Sequence, residues 1–479
     1  MRIPLFLMLV LPLYVSGQTF NDFLTRLNIT PQAERPAIVD SFMNANAGNF
    51  PYIEDDTIAF AIYRGTANSV TVAGDMNDWN PNGISLSTVA GTDFWYRGSY
   101  FEPDARVDYK YVLNGSNWIL DPLNPHTCTG GYGPNSELRM PQYVPAPEVE
   151  YYPSIEHGTL QDTSFYSANL GNARTVRIYL PFGYDESDER YPVMLFHDGL
   201  EYITLSDANN VLDYLIYHDR MVPIIGVFVP PVNRTPEYVA EQQATFGRFI
   251  AEEVMPWVDG RYRTRTEPEL RGTIGASNGG NISLYLGVTY PEQFGKIGAQ
   301  SSNVETNIRN AFSASPLLNL ELYLDMGTYD LTALPPRVDA LLTILDEKGY
   351  SYQYYEWHEG HSWCNWAAHL DLALTQFFPG SVNIDSPLPA LPTSVKLQAN
   401  YPNPFNPETT IRFELNETQN IELAVYNTSG QLVHTLVKGL YQAGGHAIQF
   451  DGTELPSGVY FYVLRWHSGS AARKMVLLK

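Results

Sequence analysis

The feature that most constrains this chain is a hydrophobic rhythm that changes twice along its length. Residues 57–143 contain short runs in which apolar and polar side chains alternate, at 58–63, 69–73, 94–98 and 107–112, punctuated by Gly, Asn and Asp. Period-two alternation puts one face of an extended strand in a core and the other in water, so these runs predict a small β-sandwich. From about 155 to 380 the rhythm is different. Apolar runs at 192–196, 222–229, 271–275 and 320–324 are separated by helical spacing, clearest at Phe246, Phe249, Ile250, Val254, Trp257 and Val258. Continuous apolar strands between amphipathic helices predict a mainly parallel sheet covered on both faces. After a proline-rich stretch, alternation returns at 410–415 and 458–464 and predicts a second β-sandwich.

The length of 479 residues suits three domains of roughly 100 to 200 residues each. The expected boundaries are a secretory signal at 1–17, a helical lead-in at 18–50, the first sandwich at 51–148, the α/β domain at 149–382, a linker at 383–394 and the second sandwich at 395–479. Met1 and Arg2, the apolar run 3–15 and the small pair Ser16 and Gly17 have the three regions of a signal peptide. That run is too short to span a bilayer, and no later segment offers about 18 uninterrupted apolar residues, so no membrane span is expected. A formal net charge of −23 repels phosphate backbones, which argues against nucleic acid as a partner. Cys128 and Cys364 are the only cysteines, so they form one bridge or stay as two thiols. With no histidine cluster at ligand spacing beside them, neither a metal nor any other cofactor is expected.

The chemistry concentrates around the pentad Gly275-Ala-Ser277-Asn-Gly279, which follows an apolar strand and precedes a helical run from Asn281 to Thr289. A sharp strand-to-helix turn of this kind exposes a serine hydroxyl at the carboxyl edge of an α/β-hydrolase sheet, with small neighbours that let other backbone approach. Ser277 is the candidate nucleophile. In that fold the acid and then the histidine follow in chain order. His361 lies just after the strand candidate 352–357 and is the candidate base, with His358 and His369 as competitors. Asp330, beyond the strand at 320–324, is the candidate orienting acid, with Asp325, Glu356 and Glu359 as alternatives. An oxyanion would need two backbone donors, placed at Asn278 and in the Gly199 and Leu200 region. His197 is read as shaping that loop.

At these residues the chain resembles the enterochelin-esterase-like family, which includes the feruloyl and acetylxylan esterases of carbohydrate esterase family 1 and the mycolyltransferases. The resemblance covers roughly 155–380. It rests on Phe196-His-Asp-Gly199, Arg234-Thr-Pro-Glu-Tyr238, 249–256, Tyr262-Arg-Thr264, 275–280, Gly327-Thr-Tyr-Asp330 and Gly360-His-Ser-Trp363 with Trp366. It implies a catalytic triad of Ser277, Asp330 and His361. The chain departs from the family at Asn278, where Leu or Met is common.

The first sandwich resembles glycogen- and starch-binding modules of the isoamylase type through Gly74-Asp-Met-Asn-Asp-Trp79, Tyr109-Lys-Tyr111, Trp118, Asp121-Pro122 and Asn135. That likeness implies sugar contacts at Trp79, Lys110, Trp118 and Asn135. The texts Asp104-Ala-Arg106 and Asp121-Pro-Leu-Asn-Pro125 equally resemble the front domain of enterochelin esterases, which helps build the active site. The last stretch, with 400–407, 426–430, 455–461 and 473–478, resembles the sorting domain of type IX secretion. It implies the secretion machinery as a partner and a secreted or cell-surface protein of a Gram-negative bacterium.

The combined expectation is a secreted serine carboxylic ester hydrolase acting through an acyl-enzyme on feruloyl or acetyl esters of plant polysaccharide. Hydrolysis of a siderophore or other small ester, and a non-catalytic glycan-binding surface protein, are the alternatives. Trp363 and Trp366 are read either as an acyl pocket or as core. A bridge between Cys128 and Cys364 would clamp the first sandwich beside His361.

Overall fold

The computed structural model describes residues 19–380 and 395–479, apart from 398–399, 401–402, 416–418, 428–430, 442–443, 454 and 467–468. The signal-peptide reading at 1–17 and the linker reading at 383–394 fall outside the described residues. The chain divides into two compact units, with the break near residue 381.

The first unit opens with helices α1 (Phe20–Ile29) and α2 (Arg35–Ala45), where Thr19 and Asp22 form a reciprocal cap at the start of α1. Strands β1 (Tyr52–Glu54), β2 (Ile58–Arg64), β3 (Val70–Gly74), β4 (Ile84–Ser85), β5 (Ser87–Thr88), β6 (Phe94–Tyr100), β7 (Arg106–Leu113), β8 (Asn117–Ile119), β9 (Thr127–Gly130) and β10 (Gly133–Arg139) follow. One sheet has the order β1-β2-β6-β5. Its alternation works as the sequence requires: Ala59, Ala61 and Tyr63 face the sandwich core, while Phe60 and Ile62 meet Phe20, Phe23 and Phe42 of the helices. The second sheet is built on β7, whose Val107, Tyr109, Tyr111 and Leu113 face that core.

That second sheet does not stop at the sandwich. Strands β11 (Thr159–Ser167), β12 (Asn172–Leu180), β13 (Val193–His197), β14 (Ile225–Val229), β15 (Arg271–Ala276), β16 (Lys296–Gln300), β17 (Glu321–Tyr329) and β18 (Tyr352–Gly360) form the α/β domain, in the order β11-β12-β14-β13-β15-β16-β17-β18. From β14 to β18 the pairing is parallel. At its far edge β18 pairs in parallel with β7, Glu359 opposite Arg106, so a single 14-stranded sheet runs through both regions. Helices α3 (Gly199–Thr204), α4 (Ala208–Tyr217), α5 (Arg234–Val239), α6 (Gln243–Arg248), α7 (Met255–Arg261), α8 (Asn278–Thr289), α9 (Thr306–Ala314) and α10 (Pro335–Lys348) supply the crossovers, and α11 (Trp363–Ala368) and α12 (Leu370–Phe377) follow the last strand, β18. Separate apolar cores lie on the two faces of the sheet, one around Phe246, Ile250 and Leu322, the other around Phe196, Leu212 and Leu374.

Several bounds differ from the sequence reading for physical reasons. The run 222–229 becomes a strand only from Ile225, after Pro223, which has no N–H to give a ladder. β17 extends to Tyr329 because Gly327 and Tyr329 still pair with β18 across a register shift. The helical spacing of 246–258 is interrupted by a π-helical segment, Phe249–Val254, immediately before Met255 and Pro256, where a proline removes one ladder donor. The helical segment after His361 is split at His369 into α11 and α12. The paired strands β11 and β12, and β16, lie outside the apolar runs of the sequence pattern.

The second unit contains β19 (Lys396–Leu397), β20 (Glu408–Leu415), β21 (Gln419–Asn427), β22 (Leu432–Tyr441), β23 (Gly444–Asp451), β24 (Gly458–Trp466) and β25 (Gly469–Leu477). Two antiparallel sheets, β19-β20-β23 and β22-β21-β24-β25, enclose Ile411, Phe413, Leu423, Tyr462 and Met475.

Candidate active site

Ser277 sits between β15 and α8 with φ 56° and ψ −118°, a conformation a non-glycine residue adopts only when its surroundings impose it. Three contacts impose it here. Its N–H donates to the Gln300 carbonyl at 2.8 Å, and its carbonyl accepts from the N–H groups of Asn303 and Asn281. Gly275 is required because a Cβ there would lie 2.4 Å from the Gly279 backbone. The side chain of Ser277 is partly exposed.

His361 follows the end of β18, and its Nδ1 lies 2.7 Å from Asp330 Oδ1. The Asp330 side chain is fully buried, and the same oxygen accepts the Leu331 N–H. The rival groups are engaged elsewhere. His358 pairs with Asp104. His369 stacks on Trp357 at 4.0 Å and bonds to Glu359. Asp325 accepts from the Ser301 N–H and the Tyr323 hydroxyl, with burial raising its pKa to about 6. Glu356 accepts from Tyr354.

A buried residue that sequence reasoning missed joins these loops. Gln300, at the end of β16, accepts the Tyr202 hydroxyl at 3.0 Å on Oε1 and donates from Nε2 to the Trp366 carbonyl at 3.0 Å. Its own carbonyl holds Ser277, and the Trp366 ring stands edge-on to His361 at 5.0 Å. Gln300 thus connects the Ser277 turn, the helix after His361 and α3, which carries Gly199 and Leu200. Nothing in the local text of 296–300 marks it, since its role arises only when three loops converge.

Asn278 begins α8 and Gly199 begins α3, at the carboxyl ends of the adjacent strands β15 and β13. N–H groups at helix starts have no acceptor within the helix. Arg234 binds both Asp198 oxygens, at 2.8 and 2.7 Å, and reaches the Ala276 carbonyl, so it fastens the turn before Gly199 to the residue before Ser277. The sequence displayed Arg234 only as part of a family text. His197 is wholly buried against Thr273, where burial lowers its pKa to about 3 and keeps it neutral. Trp363 and Trp366 are buried in the core.

The first sandwich reaches this site repeatedly. Asp78 accepts from the Thr332 N–H and hydroxyl, Tyr329 donates to Glu102, and Cys128 is bonded to Cys364 on α11. Of the four sugar candidates, Trp79 donates to Asp75 and Asn135 to Asp108, while Trp118 is 42% exposed. Lys110 and Trp118 share one face of the sheet, because Trp118 pairs with Val112, two residues along β7 from Lys110. Arg106 and Asp108 lie on that same face. Among the described residues no His, Cys, Asp and Glu cluster is arranged to hold a metal ion, and no helix is long and apolar enough to cross a membrane.

Residues 167–377 match the family model "Putative esterase", and residues 399–478 match the "Secretion system C-terminal sorting domain". YjcH of Bacillus subtilis strain 168 is 29% identical over 236 residues, 46% of this chain and 97% of that protein. The endo-1,4-beta-xylanase/feruloyl esterase of Xylanibacter ruminicola is 27% identical over 33% of this chain, and the match spans only 24% of that protein. The enterobactin esterase structure from Shigella flexneri superposes with a TM-score of 0.57 at 21% identity, covering 68% of this chain and 94% of that one, which shows a shared fold. The sorting domain assigns the protein to type IX secretion, to the medium or the cell surface. Residues 167–377 belong to the esterase family, and the protein is a carboxylic ester hydrolase that carries a C-terminal secretion sorting domain.

Proposed function

We propose that the protein is a serine esterase working through an acyl-enzyme, and the observation that carries this reading is the 2.7 Å contact between His361 Nδ1 and the buried Asp330. That contact leaves Nε2 to act as the base. As Ser277 Oγ attacks the ester carbonyl, Nε2 takes its proton and Asp330 stabilises the imidazolium. The N–H of Asn278 and those of Gly199 and Leu200 receive the oxyanion. When the tetrahedral species collapses, the imidazolium protonates the departing alcohol. Water, deprotonated by the same nitrogen, then releases the acid and restores Ser277.

The preferred substrates are feruloyl or acetyl esters carried on plant polysaccharide. The exposed face of Trp118 and Lys110 supports this, since an indole stacks on sugar rings and an ammonium donates to hydroxyls. Trp79 and Asn135 would serve the same face from their anchored positions. A second reading, a siderophore or other small ester, is supported by the contacts that fasten the first sandwich over the loops of Asp330 and His361, as a fixed wall around a compact substrate would be. Release of p-nitrophenol from a short acyl ester tests the mechanism: Ser277→Ala should lose at least about 1,000-fold in kcat. Equal rates for the two proteins would refute it. Comparing feruloyl-polysaccharide, acetyl-polysaccharide and siderophore esters by kcat/KM then decides the substrate class.

A further inference from the structure

Arg106 is completely buried, yet it belongs to the first sandwich and not to the esterase domain. Its Nε donates to Glu137 Oε1 and one Nη to Asp108 Oδ1, each at 2.7 Å. These two carboxylates neutralise it and satisfy one side of the guanidinium. The other Nη crosses to the esterase domain and donates to Ser362 Oγ at 2.7 Å. A guanidinium is planar and presents its donors at fixed angles, so anchoring two of them on β7 and β10 aims the third.

Ser362 is the residue after His361. Its hydroxyl oxygen also caps α11 by accepting the Asn365 N–H, and Asn365 in turn donates to the Gly360 carbonyl. Gly360 itself is pressed against the sandwich, for a Cβ there would stand 2.0 Å from the Asp75 carboxyl group. Asp75, just beyond β3, accepts the Asp108 N–H at 2.7 Å, so both supports of the 360–362 turn are tied to β7. The imidazole is attached to this turn, and its Nδ1 must stay on Asp330.

We propose that Arg106 is a positioning residue for His361: by holding Ser362 Oγ it fixes the turn that keeps the imidazole aligned between Asp330 and Ser277. The sandwich is then a working part of the catalytic apparatus, acting through a hydrogen bond 256 residues away in sequence. This inference rests on the triad reading above. Positioning of this kind affects the chemical step far more than ground-state binding, because a displacement near 1 Å can cost about 100-fold.

The test is a double-mutant cycle on the full chain with Arg106→Lys and Ser362→Ala, read with a p-nitrophenyl ester and with the rate at which a phosphonate ester inactivates Ser277. Lysine keeps a charge near Asp108 and Glu137 without the fork that reaches Ser362. Each single change should lower kcat and the inactivation rate roughly 10- to 100-fold with KM within about twofold, and the pair should be no worse than the singles. Should Arg106→Lys fail to fold, Ser362→Ala, which leaves the buried charges intact, decides alone. The proposal is overturned if Ser362→Ala keeps its kcat within twofold of wild type, or if the two losses multiply. Ser277→Ala separates the two levels: an active Ser277→Ala protein rejects the triad itself, whereas an inactive one beside a fully active Ser362→Ala rejects only the role of Arg106.

Discussion

The chain ends in one β-sandwich and nearly begins with another, and they are built on opposite principles. The C-terminal sandwich closes on its own apolar core, Ile411, Phe413, Leu423, Tyr462 and Met475, and forms a separate compact unit. The N-terminal sandwich lies in the same unit as the esterase domain, shares its sheet through β7 and β18, and sends Arg106, Asp78, Glu102 and Cys128 to the loops around His361. A sandwich that merely travels with an enzyme needs no buried ion pairs aimed at its neighbour. Burying Arg106, Asp108 and Glu137 carries a desolvation cost that apolar residues of similar volume would avoid. Such a cost is retained where geometry, and not stability, is what the residues supply.

The comparison breaks most visibly under truncation. Removing 395–479 should leave kcat/KM on p-nitrophenyl acetate within about twofold, since no residue of the proposed site lies there. Removing 19–148 should abolish activity, because it exposes the edge of β18 and strips Ser362 of Arg106 and Gly360 of Asp75. Measuring both truncations beside Ser277→Ala suffices, and an active enzyme without its first sandwich would end the contrast.

The covalent link between the regions gives a smaller effect. The Cys128–Cys364 bond closes 236 residues of sequence, so replacing both cysteines with serine should cost about 2 to 5 kcal/mol in the first unit alone. Calorimetry should show the first transition moved down and the C-terminal one unmoved. Should both move together, the two units are not thermodynamically separate.

The two units should also differ in their response to pH. Burial holds Asp325 and Asp371 up to about 6, above the ordinary 3.8. A carboxyl raised in the folded state binds its proton more tightly there than in the unfolded chain. Its contribution to stability is full below about pH 4 and is lost as pH rises through 6. In the C-terminal unit the Thr453 hydrogen bonds hold Asp451 low, and Lys438 holds Glu422 low, so that contribution is lost instead as pH falls. Asp325→Asn should flatten the decline of the first transition between pH 4 and 7, by at most about 3 kcal/mol. An unchanged slope would show that Asp325 titrates normally.

Much of this architecture was legible in the sequence because the signals were local. The period-two runs at 58–63 and 107–112 and the strand–turn–helix text around Ser277 each carry their own structural instruction, and with only two cysteines there was one intramolecular pairing to consider. What the sequence hid depends on long-range convergence. Glu359 meets Arg106 from a distant part of the sequence, and Gln300 gains its role only from Tyr202, Trp366 and Ser277 arriving together. Pattern reading also separates what the backbone joins: the change of rhythm near 150 looked like a domain boundary, whereas the sheet passes through it.

The finest contrast concerns the outer face of the first sandwich. If Trp118 and Lys110 contact the polysaccharide end of the substrate, their influence should appear only when that end is present. Trp118→Ala should raise KM for a feruloylated or acetylated polysaccharide about 2- to 10-fold, as expected for the loss of one stacking surface, while leaving p-nitrophenyl acetate kinetics unchanged. Trp118 is exposed and sits opposite Val112, toward the end of β7 away from Arg106, so its removal should not disturb Ser362. An equal change on both substrates would mean that this face supports the catalytic loops, as Arg106 does, and that the sandwich is wall alone; no change on either would remove the glycan from the account and leave the small-ester reading in its place.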